Sequence, residues 1–398
     1  MPTSRAVRLT PSSLIVTAAV MVVGASLSLS ARASSSARTP QAAPPVAATT
    51  APEAPRPRVR LIATGGTISN RSGGRLTADD LLASIPRLDT WVRAEAEQFS
   101  NVASSELTLG QWLQLARRAN EILASDRELA GLVVTCGTDT LEELAYFLHL
   151  TVRHERPVVL VGSMRNPSTL GYEGAANLLQ GFRVAADPAS RGLGALVVLN
   201  DEINSAREVT KTDALRLHTF QSRGYGVLGV VDQDRVAYYR RPVRRHTAQS
   251  EFDVSTIQAL PRVDILMVYQ DAPGDLIKAA VDSGARGLVI ATAGAGATSG
   301  TQQDGLAYAT ERGVIVVRGT RTGSGRIAPF QGPARQGGSQ TLPSIEGESS
   351  REVNEFLRRM RTTVAAEDLA PVKARVLLML ALATSREPPD IQRLFAEY

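Results

Sequence analysis

Cysteine is almost absent from this chain. Cys136 stands alone, which excludes an intramolecular disulfide framework and any cysteine-rich metal cage. Histidine is nearly as scarce. His149, His154, His218 and His246 form no His-x-x-x-His pair and lack a glutamate-rich partner pattern, so a zinc hydrolase finds no support. No long lysine or arginine run occurs, and no basic stretch is studded with aromatics. With a formal charge of only +5 over 398 residues, a nucleic-acid partner is not indicated. The Gly-x-Ser-x-Gly elbow is missing throughout, which removes a serine enzyme of the α/β-hydrolase type. What remains, 43% hydrophobic and 21% charged, is enough for two globular domains, each with its own core.

The amino terminus reads as a targeting segment. Arg5 and Arg8 precede SLIVTAAVMVVGASL, an apolar run too short to span a bilayer comfortably, and Ala31-Arg32-Ala33 supplies the small residues of a cleavage point. We read residues 1–33 as a secretory signal cut after Ala33, with an uncleaved anchor helix as the alternative. Residues 34–57 are mostly Ala, Pro, Ser and Thr, and read as a disordered spacer. The working protein is then exported, periplasmic or secreted. It begins near Arg58 and keeps no stable membrane association once the signal is removed.

From Arg58 short β-branched runs alternate with amphipathic helices. VRLIA (59–63), GLVVT (131–135), PVVLVG (157–162) and ALVVLN (195–200) are strands. Helices are predicted after Thr77, from Thr108 through Ser125, over DTLEELAYFLHL, and from Gly174 to Ala186. Residues 240–261 are polar, Arg-rich and without period, which suits a linker. A second alternation follows: DILMVY (264–269), GLVIATAG (287–294) and VIVVRG (314–319), with helices between them and two more at the end. Residues 323–350 read as an exposed loop. Apolar strands alternating with helices give an α/β fold of two α/β domains. A larger N-terminal, parallel-rich sheet domain spans 58–239, and a smaller C-terminal Rossmann-like domain spans 262–398.

Open parallel sheets bind ligands at the carboxyl ends of their strands. Four such segments share one vocabulary: TGGT (64–67), ASSE (103–106), CGTDT (136–140) and REVTKTD (207–213). Taken singly, each hydroxyl has a bland explanation as a helix cap, and Asp139 is placed to cap the helix that follows it. Together they present hydroxyls, a carboxylate and a lysine. Gly65 and Gly66 let the backbone turn sharply and leave N–H groups uncovered beside Thr67. A threonine hydroxyl attacks only when a base or a neighbouring lysine helps remove its proton. Lys211 and Asp139 are the available pair.

IATGGTIS (62–69) and VVTCGTDTLEELAYFL (133–148) resemble the two signature segments of the bacterial L-asparaginase/glutaminase family of threonine amidohydrolases. PVVLVGSMR (157–165), REVTKTD (207–213), HTAQSEFDVS (246–255) and the terminal KARVLLMLALATSREPPDIQRLFAEY resemble family segments in the same order. The exported, type II subgroup is nearest in appearance. The resemblance implies hydrolysis of the side-chain amide of L-asparagine, with L-glutamine a further candidate substrate. It makes Thr67 the nucleophile that forms an acyl-enzyme, and Thr138, Asp139 and Lys211 a second group that polarises a hydroxyl or water. Asp139 also holds the substrate α-ammonium and Ser104 its α-carboxylate. Ser105 stands beside it, where the family usually has Gln or Glu. Homotetramers with sites shared between subunits are implied, and no metal or organic cofactor. The sequence departs from the family at the loop after Thr67, which lacks the expected tyrosine. Tyr172 is one candidate replacement, and direct activation by Thr138 and Lys211 is the preferred one. Cys136 stands where His is common, and no glutamate matches the one that a partner subunit contributes.

The competing reading is an exported two-domain protein that binds an amino acid without catalysis. Such a receptor uses Asp139 and Ser104 but has no need of a paired Thr67 and Lys211. A dinucleotide site at GAGATSG (294–300) is the third reading. The strand ending near Val317 is followed by Arg318, where an acidic ribose ligand is expected, so a Gly-rich turn beneath a helix is preferred.

Overall fold

The computed structural model describes residues 55–329, 363–384 and 387–398. The expected signal over 1–33, residues 34–54 of the spacer and residues 330–350 of the expected loop lie outside the described residues. In chain order the strands are β1 (Arg58–Gly65), β2 (Asn70–Arg71), β3 (Gly74–Arg75), β4 (Arg93–Val102), β5 (Leu129–Thr135), β6 (Val158–Val161), β7 (Ala195–Leu199) and β8 (Glu202–Ser205). They continue with β9 (Thr210–Lys211), β10 (Phe220–Gln221), β11 (Gly229–Val231), β12 (Val236–Tyr238), β13 (Val263–Met267), β14 (Gly287–Thr292), β15 (Ile315–Thr320) and β16 (Thr363–Ala365). The helices are α1 (Ala78–Ala83), α2 (Leu109–Ser125), α3 (Leu141–Thr151), α4 (Gly174–Ala186), α5 (Asp275–Asp282), α6 (Gln302–Glu311), α7 (Pro371–Thr384) and α8 (Pro388–Glu397).

The larger sheet has the order β12-β11-β8-β7-β6-β5-β1-β4. Its β7, β6, β5, β1 and β4 run parallel, and β8, β11 and β12 extend it antiparallel. Alternate residues of a strand face opposite sides, and here both sides are apolar. Leu61 and Ala63 of β1 join a core with Val133, Val159 and Leu178. Ile62 joins the other, with Leu132, Val134 and side chains of α2 and α3. Thr77 and Thr108 cap α1 and α2 through capping boxes with Asp80 and Gln111, as their spacing predicts.

The smaller sheet is wholly parallel, in the order β13-β14-β15-β16. One face packs Leu288 and Ile290 against Ile277 of α5 and Leu306 of α6. The other face meets α7, which is buried along most of its length from Lys373 to Ala381. A helix that is apolar all round needs a partner on more than one side. Here α3 lies on one side of α7 and β13, β14 and β15 on another. A single hydrophobic core therefore runs from Ile62 and Leu132 through both helices to Val289 and Val317.

Residues 240–261 contain no strand, yet they are packed. Phe252, Val254 and Ile257 are buried, and Arg117 of α2 donates to the carbonyls of Val254 and Ile257. Three apolar anchors dock an otherwise polar segment. The loop after Thr67 is likewise more regular than its small residues suggest, since β2 and β3 pair as an antiparallel hairpin around Ser72 and Gly73.

Candidate active site

The strand order changes direction at β1. The chain leaves β1 for β4 on one side and returns to β5 on the other. At such a switch point the loops after neighbouring strands diverge and leave a crevice at the carboxyl ends. Thr67 follows β1, Ser104 follows β4 and Thr138 follows β5, so topology alone brings three of the sequence-predicted residues to one crevice.

Backbone contact then draws them close. The Thr64 amide donates to Thr135 Oγ1 at 3.1 Å, and Thr64 Oγ1 donates to the Thr135 carbonyl at 2.6 Å, lacing the ends of β1 and β5. Gly65 and Gly66 have φ of 107° and 91°, a region that glycine enters freely. A Cβ on Gly66 has no room because the backbone of Gly137 lies against it, and a Cβ on Gly137 would meet Ser104 Oγ at 2.8 Å. Gly66, Gly137 and Ser104 therefore converge, and Thr67 and Thr138 each directly follow one of the touching glycines.

Lys211 arrives from the short β9–β10 hairpin. Its Nζ donates to Thr138 Oγ1 at 3.1 Å and to Asp139 Oδ1 at 2.7 Å. The lysine side chain is only 16% exposed, whereas that of Asp139 is 77% exposed and open to a ligand cation. Asp139 is not a cap: the residue at that position of α3 is Thr140, and no side chain caps the helix. Thr67 is half-buried, and its hydroxyl has no hydrogen-bond partner among the described residues. Ser104 is 5% exposed. Ser105 is exposed on the same turn and joins none of these contacts.

Two residues not singled out from the sequence seat Lys211. Glu142 accepts from Thr210 Oγ1 at 2.7 Å and from the Lys211 amide at 3.2 Å. Lys373 of α7 is buried, donates to the carbonyls of Arg207 and Val209, and lies 3.9 Å from the Glu142 carboxylate. Burial pulls its ammonium down to about 8 while Glu142 pulls the other way. Glu142 carries no separate sequence signal, because it reads as an ordinary acidic residue in the first turn of a helix. The signal for Lys373 is its charge in the first turn of a helix that carries only one other charged residue, Arg375.

Other candidates take quieter places. Burial pushes the Cys136 thiol up to about 12, with Asp139 and Glu143 adding to the effect, so it packs as a small apolar group. The phenol of Tyr172, raised by burial and by Glu173, donates to the Ile68 carbonyl at 3.0 Å. The 294–300 stretch is a turn leading to α6, onto which Arg318 folds by donating to the Gly296 carbonyl at 3.0 Å. A cavity of about 480 Å³ lined by Ile257, Leu260, Arg286 and Ile315 sits at the amino ends of the smaller sheet and holds no comparable cluster. Among the described residues no group of three or more His, Cys, Asp or Glu is placed to hold a metal ion. No described helix is long and apolar enough to cross a membrane.

Two parallel-rich sheets, and a switch-point crevice holding two threonines with a lysine–aspartate pair, define a two-lobed α/β protein with a polar cluster at the carboxyl ends of its larger sheet. Residues 58–244 match the family model described as asparaginase, N-terminal, and residues 262–395 match that of the glutaminase/asparaginase C-terminal domain. The chain is 39% identical over 352 residues to L-asparaginase 2 of Bacillus subtilis (strain 168), covering 86% of this chain and 87% of that protein. It is 33% identical over 350 residues to glutaminase-asparaginase of Pseudomonas fluorescens biotype A, covering 85% and 90%. A crystal structure of a probable cytoplasmic L-asparaginase from Campylobacter jejuni superposes with a TM-score of 0.75 at 34% identity, covering 86% of this chain and all of that one. The chain belongs to the asparaginase/glutaminase family.

Proposed function

We propose that this protein hydrolyses the side-chain amide of L-asparagine, and also that of L-glutamine, releasing the acid and ammonia. The observation that carries the reading is Lys211 Nζ on both Thr138 Oγ1 and Asp139 Oδ1, beside the glycine contact that sets Thr67. Thr67 Oγ1 attacks the amide carbonyl carbon, and the carbon–nitrogen bond breaks. The hydroxyl proton leaves with the nitrogen as ammonia, and an ester to Thr67 remains. Water polarised by Thr138 and Lys211 then cleaves the ester and restores the hydroxyl. Ser104 takes the α-carboxylate, with Ser105 at the rim, and the exposed Asp139 takes the α-ammonium. A receptor for amino acids has no use for the Thr138–Lys211 pair, which favours catalysis over capture.

The working form in this reading is an exported homotetramer. Export is supported by the amino-terminal pattern and by a 35% identical relative of Haemophilus influenzae named as a probable periplasmic L-asparaginase, while the Campylobacter relative is described as cytoplasmic. The test is ammonia release from L-Asn, L-Gln and their D-isomers by the purified chain, beside its Thr67→Ala variant. The variant should lose turnover while still binding L-aspartate by calorimetry. Turnover within a few-fold of the parent would remove Thr67 from its role.

A further inference from the structure

The backbone around Thr67 is tied down on both sides. Before it, the Gly66 amide donates to the Val102 carbonyl at 2.8 Å. After it, the Ile68 carbonyl accepts from Tyr172, more than a hundred positions along the chain, at 3.0 Å. The short turn Thr67–Ser69 has no side-chain cap of its own; beyond local bonds such as that from the Ser69 amide to the Gly66 carbonyl, these two contacts tie it to distant segments of the chain. We infer that Tyr172 is a positioning residue for the Thr67 turn, holding the nucleophile in register through the Ile68 carbonyl.

Tyr172 is itself firmly placed. Its ring packs against the core beneath β1 and lies over Gly174 at the start of α4, where a Cβ would collide with it. The 163–173 loop that carries it is internally braced. Glu173 accepts from the Met164 and Arg165 amides, and Arg165 Nη1 donates to the Gly171 carbonyl at 3.0 Å. The same loop touches the tip of the β2–β3 hairpin, where the Ser72 amide donates to Ser168 Oγ at 2.8 Å. One rigid loop thus holds both the nucleophile turn and the hairpin over it. A hydroxyl spent on a carbonyl, in a half-buried seat, is a tether and not a proton acceptor.

The inference rests on the reading of Thr67 as nucleophile, and the experiment separates the two. Tyr172→Phe removes only the tether. It should lower kcat for L-asparagine about tenfold, on the scale that small misplacement of a reacting group costs, with KM within about twofold and the shape of the pH–rate profile unchanged. Gly174→Ala should produce a similar loss by displacing the ring, and should add nothing in a Tyr172→Ala background, the coupling expected of two residues in contact. An unchanged kcat in Tyr172→Phe overturns the inference. So does loss of the basic limb, which would make the phenol a base, and so does full additivity with Gly174→Ala. Thr67→Ala is the control. If it is inactive while Tyr172→Phe equals the parent, only the tether fails; if it stays active, the nucleophile assignment fails first.

Discussion

His149 is buried on α3, its ring tilted against that of His246 with centroids 4.9 Å apart. Its Nδ1 accepts from the Ala195 amide at 3.1 Å, and its Nε2 has no hydrogen-bond partner. Burial, and then the neighbouring His246, hold its pKa well below the ordinary 6.5. The sign follows from proton counting. Below about pH 6.5 the unfolded chain takes up a proton at this residue that the folded chain refuses, so stability falls as pH falls. In urea titrations the parent should lose more stability between pH 7 and 5 than His149→Gln, whose side-chain oxygen can still accept from Ala195. Equal losses would show that the ring does not set the acid slope. At this scale the sequence was most readable where hydroxyls cluster after apolar runs, which marked Thr67, Ser104, Thr138, Asp139 and Lys211. Tyr172 was only one of several candidates, because its partner Ile68 lies far away in sequence and the contact exists only once α4 packs beneath β1.

Elements with apolar strands were legible as well: β1, β5, β6, β7, β14 and β15 all announce themselves as runs of Val, Leu and Ile. The edge strand β4, RAEAEQFSNV, carries no such run. It is stabilised by ion pairs, Glu95 with Arg58 and Arg60 and Glu97 with Arg118, which alternate like a solvated segment. The short antiparallel β8, β11 and β12 were hidden for a different reason, since strands this brief lack a measurable period. The β2–β3 hairpin has the same brevity and is marginal by itself. Its ties are Ser72 to Ser168, and Arg75 to the Gly66 carbonyl at 3.5 Å. Deleting Arg71–Gly74 should therefore raise KM for L-asparagine and slow kcat by less than about tenfold, the behaviour of a cover that excludes water. A collapse as deep as that of Thr67→Ala would place reacting groups on the hairpin.

Across the whole molecule, α7 joins the two lobes, packing on the smaller sheet with one side and on α3 with another. Leu378 is buried and packs over Gly287 of β14, in the same core that reaches Ile62. Leu378→Ala should cost about 2–5 kcal/mol, the usual range for such a deletion, and lower one calorimetric transition for the entire chain. Two resolved transitions, with only one of them shifted, would show that the lobes unfold separately. The polar character of residues 240–261 suggested a seam between lobes, but Phe252, Val254 and Ile257 anchor that segment to the shared core. A seam filled with packed side chains does not open like a hinge. Traffic into and out of the crevice then falls to the hairpin between Asn70 and Arg75. Opening of a lid of this kind runs on microsecond to second scales. Under the proposed function, a gate on that scale can share control of each cycle with the bonds that break at Thr67.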